Sequence, residues 1–99
     1  IGLEKTLSKE LGPEIRVNSI LPGPHETERI QNLIKQGMER DEFESYQDGL
    51  RFWTEDVPLE RIGDPMELGE LVAYLSSEKS SYINGTAIPI DGGASKSNL

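Results

Sequence analysis

Apolar residues recur at helical spacing in four stretches of this chain and crowd into short β-rich runs in two others. Leu3, Leu7 and Leu11 stand at i, i+4 and i+8, one stripe of a helix. Gly12-Pro13 ends it, because Gly suits a left-handed cap and Pro cannot continue the hydrogen-bond ladder. The stripe is already under way at Ile1, and no Met opens the chain. Residues 1–11 therefore read as the closing half of a longer helix, and the chain as a processed or truncated piece.

The run 15–21 (IRVNSIL) is β-branched and closes on Pro22-Gly23, so it reads as a buried strand. Asn18 and Ser19 interrupt it. Asn18 is expected to be a buried hydrogen-bonding residue and not a catalytic one. Residues 25–57 carry one stripe of Ile30, Leu33, Ile34 and Met38 and a weaker one of Phe43, Tyr46 and Leu50. They read as two short helices on a surface excursion, a type of segment that is more often functional or mobile than architectural. Asp64 is a natural N-cap, Pro65 fits the first helical position and Glu67 completes a capping box. The helix so opened spans 64–77, with Leu68, Leu71, Val72 and Leu75 as its core face. Residues 82–85 form a turn, 86–90 a strand, Asp91-Gly92-Gly93 a tight exit, and the last six residues a polar tail. Pro89 marks that strand as lying near a sheet edge or a subunit contact.

The order is half-helix, strand, helical excursion, helix, strand. Strand–helix–strand implies a right-handed parallel crossover and an α/β class. Two strands with a helix on one face are an incomplete layer, so other structure must complete the sheet.

Composition narrows the function classes. The 99 residues hold no Cys, which removes disulfides, thiolate metal sites and a Cys nucleophile. No apolar run approaches a membrane span, and no signal peptide is visible. The net charge of −8 argues against nucleic acid and anionic membranes as partners. That charge is local. Residues 26–60 hold four bases and ten acids, while residues 1–25 are neutral. Glu39, Asp41, Glu42 and Glu44 lack the spacing and Gly of a calcium loop and read as a solvated helix face; no metal site is expected.

Four segments, in order, resemble the C-terminal part of the short-chain dehydrogenase/reductase family across essentially the whole chain. They are residues 3–11, the strand and loop 15–24, the turn 61–68, and residues 82–93. The resemblance is to the branch of 3-oxoacyl-[acyl-carrier-protein] reductases and glucose dehydrogenases. It implies the C-terminal part of a doubly wound Rossmann-like fold, a carbonyl/secondary alcohol oxidoreductase, NAD or NADP as cofactor, a small or acyl carbonyl substrate, a homo-oligomer and a cytoplasmic setting. It places Pro22, Gly23, His25 and Thr27 beside the nicotinamide, with His25 standing where the family usually has Ile or Val and offering its backbone. It makes residues 25–57 a substrate lid, with Ile30, Leu33, Ile34, Phe52 and Trp53 as lining.

The resemblance also implies what this chain does not hold. The glycine-rich dinucleotide turn is unmatched, since Gly92-Gly93 follows the last strand. Tyr46 is followed four residues on by Leu50 and Tyr82 by Thr86, so neither matches the family's Tyr-x-x-x-Lys. No catalytic residue is assigned, His25 included, and the chain alone is expected to be inactive. One alternative is a noncatalytic oligomerising module, because an incomplete sheet leaves apolar surface to cover. Another is a binding protein whose acidic excursion recruits a basic partner.

Overall fold

The computed structural model describes residues 2–95, so Ile1 and residues 96–99 of the expected tail lie outside the described residues. The elements run α1 (Gly2–Leu11), β1 (Ser19–Pro22), α2 (Glu28–Glu39), α3 (Tyr46–Thr54), α4 (Pro65–Leu75), a 3-10 turn (Glu78–Ser80) and β2 (Ala87–Ile90). The two strands pair in parallel, Ser19 opposite Ala87 and Pro22 opposite Ile90. Among the described residues this is an α/β unit with a two-stranded sheet.

The first strand is shorter than the β-branched run that suggested it, and side chains explain the difference. Ahead of Ser19, the Thr86 amide donates to Asn18 Oδ1 at 3.1 Å, and Asn18 Nδ2 donates to the Ile83 carbonyl at 3.2 Å. The Val17 amide donates to Asn84 Oδ1 at 2.9 Å. Two asparagine side chains thus continue the pairing where a regular ladder has not yet begun. Asn18 has the hydrogen-bonding role its position suggested.

Arg16 ties the same region to the end of α4. One guanidinium nitrogen donates to the carbonyls of Ser80 at 2.9 Å and Ile83 at 3.2 Å, and to Ser80 Oγ at 3.2 Å. The other donates to the carbonyls of Leu75 at 3.0 Å and Ser77 at 3.2 Å. The cation also stands at the negative end of the α4 dipole. Ser80, at 1% exposure, closes this knot.

The start of α4 is fixed by charge. Asp64 Oδ1 accepts from the Met66 amide at 2.8 Å, and Glu67 reaches back to the Asp64 amide at 2.9 Å, so the capping box is present as its spacing indicated. Arg61 then grips both oxygens of Glu67 at 2.9 Å. These bonds, first to Arg61 and then to the Asp64 amide, hold the Glu67 carboxyl at about 2, against an ordinary 4.5.

Two apolar stripes correct the sequence reading. Leu3 is 66% exposed, and the buried side of α1 is formed by Glu4 and Ser8. Ser19 Oγ donates to Glu4 at 3.2 Å, and Ser8 stands against Gly85, whose φ of +75° suits glycine. On α4, Val72 is exposed and Leu68, Leu71 and Leu75 are half-buried, so this face is not a closed core. A two-stranded sheet is too narrow to cover a helix face. Among the described residues the buried apolar side chains are Ile30, Ile34 and Val57 instead. Ile34 fits where Gly49 has no side chain; a Cβ there would lie 2.4 Å from its Cγ2. Gly37 accommodates Phe43 in the same way, at 2.6 Å. Thr27 and Ser45 cap α2 and α3.

Two outcomes follow from these ties. Arg16→Ala leaves several carbonyls without their cation and is expected to cost about 3 kcal/mol in denaturant unfolding. Arg16→Lys should recover only part of that, because one ammonium cannot reach both sets of carbonyls. A loss under about 1 kcal/mol for the alanine variant would show that the knot is dispensable. The depressed Glu67 carboxyl contributes stability that is complete above pH 4.5 and is lost as the pH falls toward 2. Thermal melts of Glu67→Gln and the parent should therefore converge through that window. An NMR titration placing Glu67 above 4 would refute the assignment.

Candidate functional site

Parallel strands bring their carboxyl ends to one edge, and in open α/β sheets ligands bind outside that edge. Here the edge is formed by Pro22 and Ile90 with the loops that follow them. The Gly23 amide donates to the Ile90 carbonyl at 3.0 Å, holding the two exits together. A Cβ on Gly23 would lie 2.6 Å from the Asp91 Cβ, so glycine is what allows this approach. Asp91 in turn accepts from the Gly93 amide at 2.9 Å and the Ser95 amide at 2.8 Å.

The segment before α4 joins the same edge. The Gly63 amide donates to the Pro24 carbonyl at 2.9 Å, and the Glu26 amide donates to the Gly63 carbonyl at 2.8 Å. Gly92 is met by Val57, and its carbonyl accepts from Leu59 at 3.1 Å. These contacts enclose a cavity of about 470 Å³ walled by Pro24, His25, Leu59, Arg61, Glu67 and Asp91, among others.

His25 is buried, at 6% exposure. Its Nδ1 stands 2.8 Å from the Gly23 carbonyl, a contact that requires the proton on Nδ1. Its ring lies over Gly63, where a Cβ would come within 2.6 Å of it. The ring is thus held against the loop through Nδ1 while the side chain also lines the cavity. Thr27 caps α2, accepting from the Ile30 amide at 3.3 Å, and remains exposed. Between them, Glu26 accepts from the Tyr46 hydroxyl at 2.9 Å. Desolvation, then this hydrogen bond and the carboxylate charge, raise the Tyr46 phenol above its usual value.

Of the residues singled out at the loop, His25 lines the cavity, Pro22 and Gly23 lie at the strand edge, Thr27 heads α2, and none of these last three walls the cavity. The five residues of the excursion separate into two sets. Ile30 and Ile34 are buried and hold α2 to α3. Phe52 is 59% exposed, Leu33 is exposed at the margin and Trp53 is half-buried. Phe52 stands between Phe43, at 5.6 Å, and Trp53, at 5.9 Å. None of the five walls the cavity. The residues missed in the sequence are Tyr46 with Glu26, and Arg61. Only Glu67 had a local signal, its spacing from Asp64. The acids Glu39, Asp41, Glu42 and Glu44 are exposed, and no group of three or more His, Cys, Asp or Glu among the described residues is placed to hold a metal. No helix among them is long and apolar enough to cross a membrane.

The profile of a protein family described as "Enoyl-(Acyl carrier protein) reductase" matches residues 1–95. Oxidoreductase UcpA of Escherichia coli O157:H7 is 39% identical over 95 residues, covering 95% of this chain and 35% of that protein. The 3-oxoacyl-[acyl-carrier-protein] reductase FabG of Chlamydia trachomatis serovar D is likewise 39% identical over 95 residues, covering 94% and 33%. L-Sorbose reductase from Gluconobacter frateurii, solved as a complex with NADPH and L-sorbose, superposes with a TM-score of 0.85 at 32% identity, covering 96% of this chain and 36% of that one. The chain thus spans about a third of the length of the relatives it matches. Its paired parallel strands, exit loops and capped helix are a part of their Rossmann fold. On the profile match and these relatives, the chain belongs to the short-chain dehydrogenase/reductase family and corresponds to its C-terminal part.

Proposed function

We propose that this chain supplies one wall of an NAD(P)-dependent oxidoreductase site that interconverts a carbonyl and a secondary alcohol. The observation that carries this reading is the exit loop of β1. It lies at the carboxyl edge of a parallel pair, locked by Gly23, His25 and Gly63, in a chain matched to the family over residues 1–95. Such a loop suits a flat, amide-bearing ring. Its main chain is ordered at the edge, and the exposed Thr27 hydroxyl sits at the head of a twelve-residue helix. Pro22 and Gly23 would flank the ring, the His25 backbone would meet the carboxamide, and Thr27 would hydrogen-bond the carboxamide or phosphate. When bound, NAD or NADP supplies the hydride. This chain's residues orient the ring and exclude water; no residue in it matches the family's proton donor.

The pair α2 and α3 serves as the substrate lid in this reading. Ile30 and Ile34 hold it together, while Leu33, Phe52 and Trp53 offer apolar surface to a carbonyl substrate. A second reading is a noncatalytic oligomerising module. It is favoured by the exposed Leu3 and Leu11 on α1 and Val72 on α4, which need cover. Homo-oligomerisation meets that need in either reading.

Nicotinamide binding tests the first reading. Titration with NADH and NADPH of the full-length protein, in which this chain is joined to the nucleotide-binding part of the family fold, followed by cofactor fluorescence, should show saturable binding of one of them. Thr27→Ala should weaken it about tenfold and Thr27→Ser should restore it, one hydrogen bond being at stake. Binding of neither cofactor overturns the oxidoreductase reading.

A further inference from the structure

The cavity at the strand edge stands apart from the residues read above as meeting the nicotinamide. Pro22, Gly23 and Thr27 do not wall it, and His25 alone is common to both. That residue is 6% exposed, and its Nδ1 donates to the Gly23 carbonyl at 2.8 Å, so the neutral ring carries its lone pair on Nε2. Among the described residues nothing donates to that Nε2. It is not sealed either, because no buried side-chain nitrogen or oxygen among them lacks a partner. The opening it meets is the cavity that His25 lines. The other polar side chains of the wall are already matched. Arg61 and Glu67 neutralise each other through two bonds of 2.9 Å, and Asp91 accepts from the Gly93 and Ser95 amides. The remaining wall includes Pro24, Pro58 and Ile90, with Leu59 65% exposed beside them.

We infer that this cavity is a binding site for a small uncharged alcohol, whose hydroxyl donates to His25 Nε2 and whose ring or alkyl body lies on Pro24, Leu59 and Ile90. Its volume of about 470 Å³ falls within the span of small-molecule sites, about 300 to 1,000 Å³. A charged ligand finds no free counter-charge in the described wall, since Arg61 and Glu67 hold each other. A hydrocarbon leaves the imidazole acceptor covered and unpaired. The site also reaches the loop. A hydrogen bond accepted at Nε2 polarises the imidazole and strengthens the Nδ1–H bond to the Gly23 carbonyl, so occupancy tightens the exit of β1. The site is independent of the oxidoreductase reading, because its walls and its acceptor belong to this chain alone.

Phenol and toluene are the probes, alike in shape and different in the hydroxyl. Each is titrated into the full-length protein at about pH 8, above the ordinary imidazole value of about 6.5, and followed by nitrogen NMR of the histidine rings. The expected result is saturable binding of phenol, with a shift of the His25 Nε2 resonance that toluene does not cause. His25→Ile removes the acceptor and keeps an apolar side chain. It should lower the ratio of phenol to toluene affinity about tenfold, one hydrogen bond being at stake, with a thermal melt to show that the variant is folded. The resonance shift in the parent decides the matter even if that variant fails to fold. Amide exchange at Gly23 should slow when phenol is bound, and unslowed exchange overturns the coupling to the loop. An unchanged ratio in folded His25→Ile overturns the inference, as does phenol that never saturates or leaves His25 Nε2 unmoved. Phenol displaced by NADH or NADPH overturns it too, because the cavity would then be the cofactor's own. Failure of both nicotinamides to bind overturns only the oxidoreductase reading and leaves the phenol titration intact.

Discussion

The arrangement of this chain depends on one cation placed among carbonyls. Arg16 sits just before β1 and donates to main-chain oxygens of Leu75, Ser77, Ser80 and Ile83, where α4 ends and the chain turns toward β2. A helix leaves its last carbonyls unpaired, and a turn that follows at once adds more. In a small sheet there is little other structure to satisfy them. A single guanidinium does so with its planar fork, which a lysine ammonium has no geometry to reproduce. The consequence reaches the far end of both strands. With residues 75–83 pinned to Arg16, the pairing of Val17 and Asn18 with residues 83–86 follows, and then the register of Ser19 with Ala87. The register sets which residues meet at the carboxyl edge, Pro22 beside Ile90, and so brings Gly23 against Asp91. The site edge is built from the knot at the opposite end.

This explains which parts of the structure were legible in the sequence. Local devices were. The Asp64-Pro65-Glu67 capping pattern specifies its helix start within four residues, and the structure has it. Helical periodicity located α2 and α3, because spacing is a local property. What periodicity does not carry is direction. Leu3, Leu7 and Leu11 mark a stripe, yet in this chain α1 buries Glu4 and Ser8 against Ser19 and Gly85. Arg16 carried no signal at all, its partners being 59 to 67 residues away. The glycines were legible as turns and not as contacts. Gly37, Gly49 and Gly63 sit where a neighbouring side chain takes the space of their missing Cβ, and only tertiary structure tells which one. His25 belongs with them. It was singled out as a loop residue, but its burial depends on Gly63, brought to it from 38 residues on in the chain.

The frame and the helical pair are held in different ways, and this bears on function. In the frame, main-chain hydrogen bonds and charged knots fix nearly every turn from Asn18 to the Gly63 bridge. The pair is held to itself by Ile34 on Gly49 and Phe43 on Gly37, and to the frame by its two ends and the Tyr46–Glu26 bond. Its outward surface is therefore free of packing constraint. Side chains there can change in charge without disturbing the edge, which is why most of the molecule's negative charge can accumulate on it. A scaffold built this way can keep its strand-exit loop fixed while the surface of the pair varies. The groups that carry the charge are solvated and the groups that position the loop are not, so the repulsion among the acids falls on the pair itself and is screened by salt.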